Sequence, residues 1–176
     1  RQGVCVYCGT HGDVTSDHVP PKCLFPPDVR VNLITVLACP TCHDSFRLDD
    51  EYFRSTIAIR EDLPQGPGAD FLREATRRSL RKPEAKKFVT SIRAATRLVE
   101  RRTESGVYLG KALALQIDSP RIHRTSQRIV RGLYSTFYGK PLASDNIVSV
   151  ELIDAPWMHE AVQTEEVSEL LMLLVI

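Results

Sequence analysis

Two Cys-x-x-Cys pairs, Cys5/Cys8 and Cys39/Cys42, are the residues of this 176-residue chain whose type and spacing point most directly to chemistry. Two intervening residues let both thiolates of a knuckle face one tetrahedral Zn²⁺, with Zn–S near ~2.3 Å. Thirty residues separate the pairs, so one ion would close a long loop. Four thiolates complete the coordination and leave no position for an activated water, which makes such a zinc structural. Four buried free thiols are the plainer alternative, and the repeated spacing argues against it. Cys23 is left without a partner. An odd count, with no charged-then-apolar start, argues against a secreted disulfide framework and leads us to expect a reducing, cytoplasmic setting.

The loop between the pairs contains Asp17-His18 and Asn32, and His43 follows directly after Cys42. These supply a carboxylate, a base, an amide and a second imidazole. Imidazole titrates near neutrality with little tuning, which suits a general base. An isolated histidine is more often structural. Four such residues gathered around one staple are harder to dismiss.

The order Cys5-Val-Tyr-Cys8, Asp17-His18-Val-Pro-Pro-Lys22, Asn32-Leu33, Cys39-Pro-Thr-Cys42-His43 resembles the HNH endonuclease family, with its ββα-metal motif and accessory Cys₄ zinc. Asp49-Asp-Glu-Tyr-Phe53 is similar to a stretch in small bacterial HNH proteins. The resemblance covers about the first third of the chain. It implies that His18 is the general base, that Asp17 and His43 hold a divalent ion, Mg²⁺ or Mn²⁺, and that Asn32 braces the loop bearing the base. It further implies hydrolysis of DNA to 5′-phosphate and 3′-hydroxyl ends, in a bacterial defence setting.

These residues need elements to hold them. Thr15–Val19 reads as a short extended segment stopped by Pro20 and Pro21. Leu33–Leu37 is β-branched and apolar, hence a strand. A helical pattern runs from Cys39 to about Arg60. Leu63-Pro-Gln-Gly-Pro-Gly68 marks a boundary, dividing a nuclease module over residues 1–62 from a basic mixed region over 69–176. Beyond it we expect helices over Ala69–Leu80 and from Pro83 to about Val99. Extended segments follow at Leu98–Thr103 and Val107–Ile117, then a helix from Ser119, its N-cap candidate, to Tyr138. A last strand is expected at Ile147–Ile153. The fold class is therefore α+β: a zinc-stapled ββα-metal module followed by a mainly helical region with a few strands.

Taken alone, the net charge of +1 argues against a polyanion partner, but its distribution reverses that reading. Residues 1–72 carry −4, residues 73–132 carry 16 Lys/Arg against 5 Asp/Glu for +11, and residues 133–176 carry −6. Local charge of this kind is what a DNA backbone meets. Lys22, Arg47, Arg77, Arg78, Arg81, Lys82, Lys86 and Lys87 are the candidate DNA contacts. The plainer reading is a solvated helical surface with acidic partners elsewhere in the fold. No apolar stretch approaches the ~20 residues of a membrane span, so no membrane partner is expected. Leu170–Ile176 is apolar enough to pack internally or join a second subunit. Two further readings stand beside the nuclease: a non-catalytic zinc-dependent nucleic-acid-binding module, and a nuclease subunit active only as a homodimer or with a regulatory protein partner.

Overall fold

The computed structural model describes residues 1–60, 65–143 and 145–150. The chain begins with a tight hairpin of β1 (Gln2–Val4) and β2 (His11–Asp13), whose connection carries Cys5 and Cys8. Gly9 sits there at φ +72°, where a side chain would be strained. The Gly9 N–H donates to the Cys5 carbonyl and the Cys5 N–H to the Thr10 carbonyl, closing the knuckle.

Strands β3 (Thr15–Val19) and β4 (Ile34–Ala38) pair antiparallel over five rungs, from Thr15 opposite Ala38 to Val19 opposite Ile34. Between them, after a cis Val19–Pro20 bond, run two 3₁₀ turns, Lys22–Leu24 and Pro27–Asn32. Helix α1 (Pro40–Ala58) leaves directly from β4. Its N-cap is Cys39, whose Sγ accepts from the Cys42 N–H, and Pro40 stands in the first turn, where a missing N–H costs nothing. The second cysteine pair thus straddles a helix start. Sequence and structure differ here by only a residue or two at each end.

The remainder comprises α2 (Pro67–Leu80), a 3₁₀ turn over Pro83–Ala85, α3 (Lys86–Ala94), β5 (Thr96–Arg102), β6 (Tyr108–Leu115) and α4 (Ser119–Tyr138). The helix expected to reach Val99 stops at Ala94, because the following residues pair across the β5–β6 hairpin, with Thr96 opposite Leu115. Asp118, not Ser119, is the N-cap of α4: its carboxylate accepts from the Arg121 N–H at 3.3 Å. Residues 147–150 form no strand; Glu151–Ile153 and Leu170–Ile176 lie outside the described residues, as does part of the expected boundary at Leu63–Gly68. Among the described residues no helix is long and apolar enough to cross a membrane.

The core is shared between the β3–β4–α1 unit and α4. Val6, Val19 and Val36 form its buried centre, and Ile129 and Leu133 of α4 pack against it. Gly132 makes this approach close. A Cβ there would lie 2.5 Å from a Val19 methyl, so any side chain would push α4 off β3. Asp49, Tyr52, Ser55 and Ala58 form the buried stripe of α1 and Ile122, Thr125, Arg128 and Gly132 that of α4, at helical spacing. Both stripes carry charge into the interior.

Candidate functional site

The Sγ atoms of Cys5, Cys8, Cys39 and Cys42 lie within 4.8 Å of one another. Cys8 and Cys39 are 3.8 Å apart. Tetrahedral coordination at a Zn–S distance of ~2.3 Å requires a sulfur–sulfur separation of roughly 3.8 Å. The donor set therefore fits zinc. Contact with the side chain and backbone of Thr10 brings the Cys8 thiol down to about 6, so this ligand is already thiolate-like at neutral pH. Burial pushes Cys42 up instead, as crowding of four thiols without a cation should. Cys23 lies outside the cluster; its Sγ donates to the Asp50 carbonyl, and burial raises it to about 11, an inert thiol.

Asp17 and His18 are neighbours on β3, opposite Val36 and Thr35, and alternation along the strand turns their side chains to opposite faces. Asp17 faces inward and is buried. Tyr7 donates to its Oδ2 at 2.8 Å, and Arg128 Nη1 lies 3.9 Å from the same oxygen. Its Oδ1 has no hydrogen bond or ion pair with any described residue. Burial, and then the Asp17 charge, push the Tyr7 hydroxyl far above its usual range, so it stays a neutral donor. His18 is half-buried and makes no side-chain hydrogen bond or ion pair with any described residue. Asn32 is exposed at the end of the second 3₁₀ turn. His43 is exposed in the first turn of α1, its Nδ1 3.4 Å from Asp44 Oδ1. No hydrogen bond or ion pair joins Asp17, His18, Asn32 and His43 to one another. Among the described residues the Cys₄ cluster is the one group of three or more His, Cys, Asp or Glu donors close enough to share a metal, and Asp17 and His43 are not in it.

Sequence reasoning did not find the ion cluster beneath this site. Asp49 receives Arg121 Nε at 2.8 Å and Arg124 Nε at 2.7 Å. Arg128, 3% exposed, lies with Nη2 2.7 Å from Asp50 Oδ1, and its guanidinium stacks 4.6 Å from the Phe46 ring centroid. Tyr52 completes the clasp: its hydroxyl accepts from the Asp118 N–H, and its ring lies under Arg121. The two adjacent carboxyls respond oppositely. Burial would raise Asp49, but hydrogen bonds from Arg124 and Arg121 outweigh it and hold the carboxyl below its usual range. Burial dominates at Asp50 and lifts it to about 6, which Arg128 only partly offsets. Arg121, Arg124 and Arg128 at spacings of three and four were the available signal, since they share one helical face.

The candidate DNA contacts divide. Arg77 lies 2.6 Å and Arg78 3.9 Å from carboxylate oxygens of Glu74, within α2. Lys22, Arg47, Arg81, Lys82, Lys86 and Lys87 are exposed and meet no acidic side chain among the described residues. No family model, curated protein or solved structure matches this chain.

Proposed function

We propose that the chain is a metal-dependent endonuclease of the HNH type that hydrolyses DNA phosphodiester bonds. The observation that carries this reading is the strand–strand–helix order of β3, β4 and α1. It sets Asp17-His18 on the first strand and His43 on the first helical turn, beside a Cys₄ cluster. His18 is the general base: an imidazole without a hydrogen bond or ion pair to any described residue is free to accept a proton from water. Asn32 closes the 3₁₀ turn that returns the chain to β4; its exposed side chain makes no hydrogen bond to a described residue, so a bracing role for it rests on the resemblance alone. The structural zinc would be held by Cys5, Cys8, Cys39 and Cys42.

Asp17 through its unpartnered Oδ1, together with the exposed His43, would hold a hard divalent ion, Mg²⁺ or Mn²⁺. Such an ion supplies stabilisation of the charge that develops on the phosphate and its departing oxygen. Tyr7 and Arg128 fix the carboxylate from behind, so that Asp17 is positioned before substrate arrives. The test is cleavage of supercoiled plasmid with Mg²⁺, Mn²⁺ or EDTA. His18→Ala, shown to be folded and zinc-loaded, should cut about 10²- to 10⁴-fold more slowly. Equal rates would remove the assignment.

The engagement of Asp17 by Tyr7 and Arg128 favours a second reading, in which this carboxylate is structural and the module binds nucleic acid without cutting it. Retained DNA binding with no cleavage under any divalent ion is the outcome that selects it.

A further inference from the structure

We infer that an open groove of about 910 Å³ between α1, the Pro83–Ala85 turn, α3 and the start of α4 is the track for the DNA backbone beyond the scissile phosphate. The inference rests on the nuclease reading above and deepens it, by separating the cations that bind substrate from those the fold itself consumes. Arg47, Lys82 and Lys87 line the groove, are exposed, and have neither an ion pair nor a side-chain hydrogen bond with any described residue.

Other charges in the groove are already engaged, with one exception. Arg121 is held by Asp49 and the Leu48 carbonyl. Glu51 accepts from the Ser79 hydroxyl and lies 3.8 Å from Arg54. Glu84 is the one carboxylate in the lining without a cation beside it, and it leaves three free positive charges against one negative. Such an excess in a concave site with low-dielectric walls, here including Leu48 and Phe88, attracts a polyanion.

Helix α1 relates the groove to the proposed site, although no residue of that site lines it. His43 and Arg47 are four residues apart on α1, so they share one face, and a strand bound at His43 continues past Arg47 toward Lys82 and Lys87. Lysine and arginine contacts to phosphate carry no sequence information, so the ligand is the backbone of duplex DNA, held independently of sequence. Arg77 and Arg78, paired with Glu74, do not belong to this track.

The test uses the full zinc-loaded chain carrying His18→Ala and a fluorescent 30-base-pair duplex, with anisotropy followed across NaCl concentration. The combined variant Arg47→Gln, Lys82→Gln, Lys87→Gln should weaken binding at least roughly tenfold near physiological salt. It should also make the slope of log K against log salt shallower by about 2 to 3, because each lost phosphate contact removes about 0.9. Arg77→Gln with Arg78→Gln should change the slope by less than about 1. Should the triple variant fail to fold, Arg47→Gln and Lys87→Gln singly read the same slope. Unchanged binding by the groove variant, a larger loss from the α2 variant, or tighter binding of an RNA duplex than of DNA would each overturn the assignment. Plasmid cleavage by the unmodified chain is scored separately. No cleavage with groove-dependent binding removes the nuclease and leaves the groove, and cleavage with groove-independent binding does the reverse.

Discussion

The two ends of the β3–β4–α1 unit are held by different physics. At one end four thiols from two knuckles converge, Cys5 fully buried and Cys8 exposed. At the other, α1 and α4 meet through Asp49, Asp50, Arg121, Arg124 and Arg128, with Val19 against Gly132. A metal staple contributes folding free energy outright, whereas buried ion pairs must first offset the cost of desolvation and so hold geometry more than they add stability. The first end should therefore fail all at once and the second by degrees.

The largest effect separates them directly. Stripping the zinc, or replacing Cys39 by Ser, should abolish cooperative thermal unfolding of residues 1–60. Structural zinc contributes apparent free energies of about 10 kcal/mol or more in small domains. A metal-free protein with the same melting transition would show that the valine core alone suffices and erase the contrast.

Next is the interior of the clasp. Arg128→Met removes the cation from beside Asp50 and Asp17 while keeping most of the apolar stem over Phe46. Breaking a buried pair from one side costs about 3–5 kcal/mol, because a carboxylate is left without compensation. Asp50 lessens the damage, since burial already raises it to about 6 and it can protonate. Adding Asp50→Asn should accordingly recover part of the loss in urea denaturation. A single-variant cost below about 1 kcal/mol would mean that the cluster is solvated and does not hold the two helices.

The same division governs what could be read from the residues alone. The Cys₄ end was legible because its chemistry is local: Cys-x-x-Cys is a spacing, and Pro40 after Cys39 marks a helix start. Of the strands flanking the loop, β4 was legible from its β-branched run and β3 from the two prolines that stop it. The clasp was not, since its partners lie more than 70 residues apart, as with Asp49 and Arg121. Asp49–Phe53 stood out only by resemblance, and nothing in it said that Arg121 and Arg124 complete it. The charge count misled for the same reason. Several of the 16 cations between residues 73 and 132 are already engaged by carboxylates of α1, among them Arg121, Arg124 and Arg128, while Arg77 and Arg78 share Glu74. Total charge located the basic segment, but only packing distinguishes cations that hold the fold from cations left for a ligand. The helix expected to reach Val99 failed similarly: Thr96–Arg102 suits helix or strand, and pairing with β6 decides.

The smallest effect tests the rim of the clasp, where Asp49 and Asp50 should part company with pH. Asp49 titrates below its ordinary range when folded, so its contribution is complete above the unfolded value of about 3.9 and is lost as pH falls through the depressed folded value. Asp50 titrates higher when folded, and so opposes folding progressively as pH rises from about 4 to about 6. Asp49→Asn should cost about 2 kcal/mol at pH 7, the scale of hydrogen bonds to a charged group, reduced somewhat because Arg124 is half exposed. That difference from wild type should shrink below pH 4, where the native carboxylate becomes neutral as well. Asp50→Asn should instead flatten the fall in stability between pH 4 and 6. Denaturation midpoints measured from pH 3 to 7 distinguish the two. Parallel curves for both variants would mean that the adjacent carboxyls share one environment, against the opposite partners they have here.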